Sequence, residues 1–159
     1  MAETQVNTNQ VEYKVFSADA TGVSDTLTTF TDWTTELIKH SIYTHSTSTS
    51  PEQVTVGEDG SYYIVADTAT QVSSGTARST SLVKLQIDYG SGFTDPTHGS
   101  VRAYMYNRQA GSGDDSCTIS IVLPLSAGDK IRVESSLYSG TDTLLLRGSG
   151  CRLTIMKVG

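Results

Sequence analysis

Two cysteines, Cys117 and Cys151, and three histidines, His40, His45 and His98, are the side chains of this sequence best suited to thiol or metal chemistry. His40 and His45 stand five apart around a polar loop, a poor geometry for sharing an ion. All three histidines therefore read as solvent-facing loop residues. Asp114 and Asp115, with Asp95 or Asp142, offer carboxylates for calcium, which takes roughly six to eight oxygens. The chain has no Asp-x-Asp-x-Asp-Gly loop, and acidic loop tips of this kind are ordinarily just solvated. Nucleophile and phosphate motifs are missing too: no Gly-x-Ser-x-Gly elbow, no His-Glu-x-x-His, no Gly-x-x-x-x-Gly-Lys. Gly111-Ser112-Gly113 reads as a turn, without the helix that dinucleotide binding requires. The expectation is a binding or assembly protein, with no catalytic residue, no metal and no cofactor.

The elements that would position any such residue are strands. Ile119, Ile121, Leu123 and Leu125 alternate with smaller or polar neighbours, Ser126-Ala127-Gly128-Asp129 interrupts, and Lys130-Ile131-Arg132-Val133-Glu134 alternates again. This reads as a hairpin. Val54 to Val56 and Ser61 to Val65 form a second strand pair around Gly57-Glu58-Asp59-Gly60. There Tyr62, Ile64 and Ala66 share one face, and Tyr63, Val65 and Asp67 the other. Val11 to Phe16, Leu82 to Tyr89, Val101 to Tyr106, Leu144 to Arg147 and Cys151 to Val158 supply further strands. Thr44 to Pro51, Thr68 to Thr80, Gly90 to Gly99 and Gly111 to Asp115 read as loops, turns or strand margins. The segment from Phe30 to Ile38 is ambiguous. Asp32 could cap a short helix carrying Leu37 and Ile38, whereas the threonines and Trp33 favour an extended run. Short strands with regular turn signals point to an all-β sandwich or barrel.

At 159 residues and 17.0 kDa the chain has the length of one domain, read as a flexible arm over 1–10 and a β domain over 11–159. Only 36% of residues are hydrophobic and 18% charged, but eight tyrosines and abundant Val, Ile and Thr favour a threonine-coated sandwich over a disordered chain. The net charge of −6 and the scatter of Arg78, Lys84, Arg102 and Arg108 argue against a nucleic-acid partner. Polar residues follow Met1, and no apolar stretch approaches the length of a membrane span. The expectation is synthesis in a cytoplasm, with no membrane partner.

Three segments carry a family resemblance in order: Val15-Phe16-Ser17-Ala18, Gly60-Ser61-Tyr62-Tyr63-Ile64, and Leu125-Ser126-Ala127-Gly128-Asp129-Lys130-Ile131. Their motifs and spacing, across about residues 11 to 159, resemble the C1q/TNF-like jelly roll. The departure is at the end, where Cys151-Arg152-Leu153-Thr154-Ile155-Met156 replaces the usual Gly-aromatic strand. The early Trp-Thr-rich segment and the absence of a collagen stem resemble the jelly rolls of tailed-phage virions.

That resemblance implies a two-sheet sandwich and a homotrimer. Tyr62, Ile64, Ile119, Ile121, Leu123, Ile131, Val133, Leu153 and Ile155 would fill the sandwich. Tyr63, Val65, Thr118, Val122, Thr154, Met156 and Val158 would face the threefold axis. The family's strand order places one strand between those of Cys117 and Cys151, about 9.6 Å apart, beyond disulfide reach, so both are expected as buried free thiols. The implied function is a capsid decoration (cement) protein on the virion surface. Its partners would be itself and the major capsid protein of a phage shell, contacted by an arm carrying Gln5, Val6, Asn7 and Asn9. The alternative is a fibre or adhesin domain recognising a host receptor or glycan through Tyr43, Phe93 and Tyr138, with Trp33 better placed in the core.

Overall fold

Alternating apolar and polar residues give extended chain one face to bury and one to leave in water, and two such sheets stacked face to face bury both apolar faces. The computed structural model describes residues 14–20, 31–75, 78–108 and 114–159. Its strands are β1 (Val15–Asp19), β2 (Thr35–Lys39), β3 (Tyr43–Thr44), β4 (Gln53–Val56), β5 (Gly60–Ser74) and β6 (Ser79–Asp88). They continue with β7 (Phe93–Thr94), β8 (Arg102–Asn107), β9 (Asp115–Leu125), β10 (Lys130–Ser139), β11 (Thr143–Leu146) and β12 (Arg152–Lys157). A single 3-10 turn, Gly148–Gly150, separates the last two. No α-helix occurs among the described residues, so none is long and apolar enough to cross a membrane.

The strands form two antiparallel sheets. In the first, β5 lies between β9 on one side and β12 and β11 on the other, and β12 continues to β1 and β2. In the second, β3, β4, β10 and β6 lie side by side, with β7 and β8 both on the far edge of β6. Between the sheets Phe16, Tyr62, Ile64, Leu123, Leu153 and Ile155 of the first meet Val54, Leu85, Ile87, Met105, Ile131 and Val133 of the second. Of the expected sandwich residues only Ile121 is half-buried; the others are buried.

Neither expected hairpin forms. β9 and β10 lie in different sheets, and so do β4 and β5. The partners are exchanged: β5 pairs with β9, setting Tyr62 opposite Leu123, and β4 pairs with β10, setting Val54 opposite Ile131. Alternation cannot distinguish a hairpin from an arch, because in both every second residue faces the core. The arches are tied together at one end of the sandwich. Gly128 N–H donates to the Val56 carbonyl at 2.8 Å and Val56 N–H to the Asp129 carbonyl at 3.0 Å. Ala127 N–H reaches Asp59 Oδ1, and Ser126 N–H reaches Asp129 Oδ2, both at 2.8 Å.

Two further expectations need correction. Thr68 to Thr80 is mostly strand: β5 runs to Ser74 and β6 begins at Ser79. Its inward side is mostly threonine and serine, with Thr68, Thr70, Ser79 and Ser81 buried beside Val72, which disguises a core strand as a loop. The ambiguous segment is extended over Thr35–Lys39. Trp33, ahead of it, is fully buried.

Candidate functional site

The outward residues of the first sheet fall in rows fixed by register. One row runs Val15, Met156, Tyr63, Val122 across β1, β12, β5 and β9. The next runs Ile38, Ser17, Thr154, Val65, Ser120. Beyond it comes Thr35, Asp19, Arg152, Asp67, Thr118. On the opposite side of the apolar rows Val158 N–H donates to the Ser61 carbonyl, which continues the face past the end of β12.

All seven residues expected at a threefold axis, Tyr63, Val65, Thr118, Val122, Thr154, Met156 and Val158, therefore share one face of one sheet. Six of them make its apolar half. Ile38 adds to it from the edge strand, with Leu37 beside the bulge in the β1–β2 pairing. Val122, on the edge strand β9, is 55% exposed, and Val158, just past the end of β12, 52%. Sequence reasoning missed Ile38, because the reading of its segment stayed open between strand and helix.

Thr118 belongs to the other half of the face, which is polar and internally paired. Its hydroxyl donates to Asp67 Oδ1 at 2.5 Å, while Arg152 makes a forked pair with Asp19 at 2.7 and 3.1 Å. Arg147 pairs with Asp114, and Asp115 accepts from the backbone N–H groups of Tyr106 and Ser116. Asp19, Asp67, Asp115, Arg147 and Arg152 line a groove of about 880 Å³ at this end.

The carboxylates expected to be merely solvated thus have partners. Asp95 accepts from Ser100 and Arg102, whose hydrogen bonds hold it below the usual carboxylate range, and Asp142 is buried. No group of three or more His, Cys, Asp or Glu with metal-holding geometry occurs among the described residues.

Among the residues lining that groove, Cys117 faces Thr68 across β9 and β5, while Cys151 immediately precedes β12, whose Arg152 pairs with Asp67. One strand separates the two thiols, and both are free. Cys151 is buried as expected; Cys117, near the start of β9, is only half-buried. Burial pushes both thiols up to about 11.

His45 corrects the loop reading. Its side chain is fully buried, with Nδ1 2.9 Å from Glu36 Oε1 and Nε2 3.1 Å from the Pro51 carbonyl. Its ring packs edge-on against Phe16 with centroids 5.1 Å apart. Burial opposes charge on Glu36, but hydrogen bonds from Lys39 and His45 hold it below the ordinary carboxylate range. His40 is half-buried and accepts the Ile42 N–H; only His98 is exposed.

The aromatic residues expected on loops behave differently from one another. Tyr43 is buried in β3, its hydroxyl donating to the Lys14 carbonyl at 2.9 Å. Phe93 lies half-buried under the Arg132 guanidinium, 3.8 Å from its centroid. Tyr138 is exposed, but on strand β10. Sequence reasoning missed its partner Tyr104, and Tyr106 as well, although the alternation Tyr104, Met105, Tyr106 sends both tyrosines outward from a buried methionine. Gln5, Val6, Asn7 and Asn9 lie outside the described residues, as do the first half of the predicted first strand and the Gly111–Gly113 turn.

No protein-family model and no curated protein matches the sequence. Solved structures do match. Murine APRIL at pH 5.0 superposes with a TM-score of 0.63 at 14% identity, covering 92% of this chain and 100% of that one. The Eiger TNF structure from S. frugiperda gives 0.62 at 14%, covering 92% and 93%. The globular domain of zebrafish complement 1qA protein gives 0.61 at 15%, covering 93% and 98%. The fold is the C1q/TNF-like jelly roll, an all-β two-sheet antiparallel sandwich. The final strand keeps a central place in it despite its altered motif, between β1 and β5.

Proposed function

We propose that this chain is a non-catalytic assembly module that forms a homotrimer through the outer face of its first sheet. The observation that carries the reading is the cluster of Tyr63, Val65, Val122, Met156, Val158 and Ile38 on the outer face of one sheet, four of them exposed by more than a third of their surface. Contiguous apolar patches larger than a few hundred Å² are uncommon on monomers and mark contact surfaces. The number of copies comes from the resemblance, in which this sheet faces the threefold axis. In the polar row at the end of the face Arg152 is paired with Asp19, and Asp67 is held by the neutral Thr118 hydroxyl.

The trimer's task in this reading is to decorate and stabilise a phage head shell, each copy contacting the major capsid protein, with Gln5, Val6, Asn7 and Asn9 ordering on the shell. This part rests on the resemblance to virion jelly rolls. Its test is the binding of purified protein to expanded empty capsids, with and without residues 1–10. Saturable binding that weakens on truncation is expected. Failure to bind capsids, alongside saturable binding to host cells, overturns the decoration role and leaves the trimer to be judged by its solution mass.

A further inference from the structure

The exposed large hydrophobic side chains among the described residues fall into two groups on different sheets. Leu37, Ile38, Tyr63, Val122 and Val158 belong to the first sheet; Tyr104, Tyr106, Leu137 and Tyr138 belong to the second. A trimer built on the first group leaves the second in water. The two groups also differ in chemistry. The first is mostly aliphatic, whereas the second is three tyrosines and a leucine.

Register brings the tyrosines together. Tyr104 and Tyr106 project from the same side of β8 and pair with Leu82 and Thr80 of β6. Tyr138 stands at the bulge in the β10–β6 pairing, between Leu137 opposite Ser81 and Ser139 opposite Thr80. The Tyr104 and Tyr138 rings meet edge to face, with centroids 4.9 Å apart and planes at 71°. Tyr104 is 51% and Tyr138 61% exposed, so each ring fixes the other while both remain open to a ligand. Tyrosine has few rotatable bonds to freeze on binding and offers a negative ring face beside a hydroxyl.

The next row on this face is charged but balanced. Glu134, Lys84 and Arg102 lie side by side across β10, β6 and β8. Lys84 pairs with Glu134 at 2.8 Å and Arg102 with Asp95 at 2.7 Å. That row therefore has no excess charge, the Asp115 carboxylate bound by the Tyr106 N–H adds a negative charge beside the platform, and the net charge of −6 also opposes a polyanion. A rigid aromatic surface bordered by hydrogen-bonding groups, with no excess positive charge, fits a ligand with weakly polarised C–H faces and neutral hydroxyls.

We propose that Tyr104, Tyr106 and Tyr138 form a binding platform for a neutral saccharide, whose pyranose C–H face stacks on the exposed rings while its hydroxyls bond to the phenolic oxygens and the Arg102–Asp95 pair. The proposal is independent of self-association, since a single copy carries the whole platform. Its test is affinity electrophoresis of the full chain through gels containing dextran, mannan or galactan, with heparin as the charged comparison. Retardation by at least one neutral polysaccharide and not by heparin is expected. Tyr104→Ala and Tyr138→Ala should each weaken it about tenfold, the worth of one aromatic contact. Tyr104→Phe should retain most of the effect, because it keeps the ring. Thermal unfolding checks that the variants fold. The proposal is overturned by passage through all three neutral gels without retardation, by equal retardation of the Tyr104→Ala/Tyr138→Ala double variant, or by retardation in heparin alone. A concentration-dependent mass abolished by the same substitutions also overturns it, by making the tyrosines a contact between copies.

Discussion

Glu58 shows how much one loop residue can hold. Its carboxylate receives Lys14 at 2.8 and 2.9 Å and Lys157 at 2.7 Å, so residues flanking β1 and ending β12 meet on the arch before β5. The hydrogen bonds from Lys14 and Lys157 hold Glu58 at about 2, against an ordinary 4.5. The unfolded chain therefore binds the proton more readily than the folded one between those values. The stabilisation is fully present above 4.5 and is lost as pH falls toward about 2. Glu58→Gln should lower the melting temperature at neutral pH, with the gap to wild type closing across that window. A constant gap in a melting series against pH would remove the ion pairs from the account. The thiols give a second test. At about 11 each, they are almost entirely protonated at pH 8, so a disulfide reagent should label the native protein on the order of a hundredfold more slowly than an ordinary cysteine. Unfolding in guanidinium should release two reactive thiols; a Cys117–Cys151 peptide in non-reducing digests would contradict the strand order. Single residues were unevenly legible in the sequence. Burial of Trp33 followed from its bulk, but burial of His45 depends on Glu36 and the Pro51 carbonyl, whose approach only the folded chain creates.

At the scale of elements, strand faces were legible and strand partners were not. The alternation that assigned Tyr62 inward and Tyr63 outward is a local property of extended chain. Whether the chain after Leu125 folds back beside β9 or passes over to the other sheet depends on β4, some seventy residues earlier in the sequence. Gly128 sits at that decision with φ +100°, in the region that suits glycine, and no atom lies within 4 Å of where a Cβ would stand. Gly128→Ala therefore tests backbone strain with no steric clash. It should cost about 1–3 kcal/mol, read as a melting temperature lower by a few degrees. Gly57→Ala combines both effects differently: its φ is ordinary, but the new Cβ would approach the Ile42 carbonyl oxygen to 2.8 Å. That carbonyl accepts the Gly57 N–H at 2.7 Å, so the clash would pull the β4–β5 arch away from the chain entering β3. A Gly128→Ala protein that melts with wild type would mean that the arch adjusts freely and does not tie the sheets.

The whole molecule divides its two outer faces between different kinds of surface, and substitutions at exposed aliphatic sites on each should separate their roles. Val122 on the first sheet is 55% exposed and Leu137 on the second 45%. In an isolated copy, aspartate at either site stays close to water and should change stability by no more than about 0.5 kcal/mol, the usual range for surface changes. In a trimer closed by the first sheet, Val122→Asp instead places three carboxylates inside an apolar contact. Each would lose its hydration with no cation to replace it, at a cost of several kcal/mol. Light scattering should then give three times the 17.0 kDa chain mass for wild type and for Leu137→Asp, and one chain for Val122→Asp. Acidification should partly restore the Val122→Asp assembly, since a protonated aspartate is far less costly to bury. If Val122→Asp keeps the wild-type mass while Leu137→Asp loses it, the contact lies on the second sheet, and the aliphatic face must be covered by something other than its own copies.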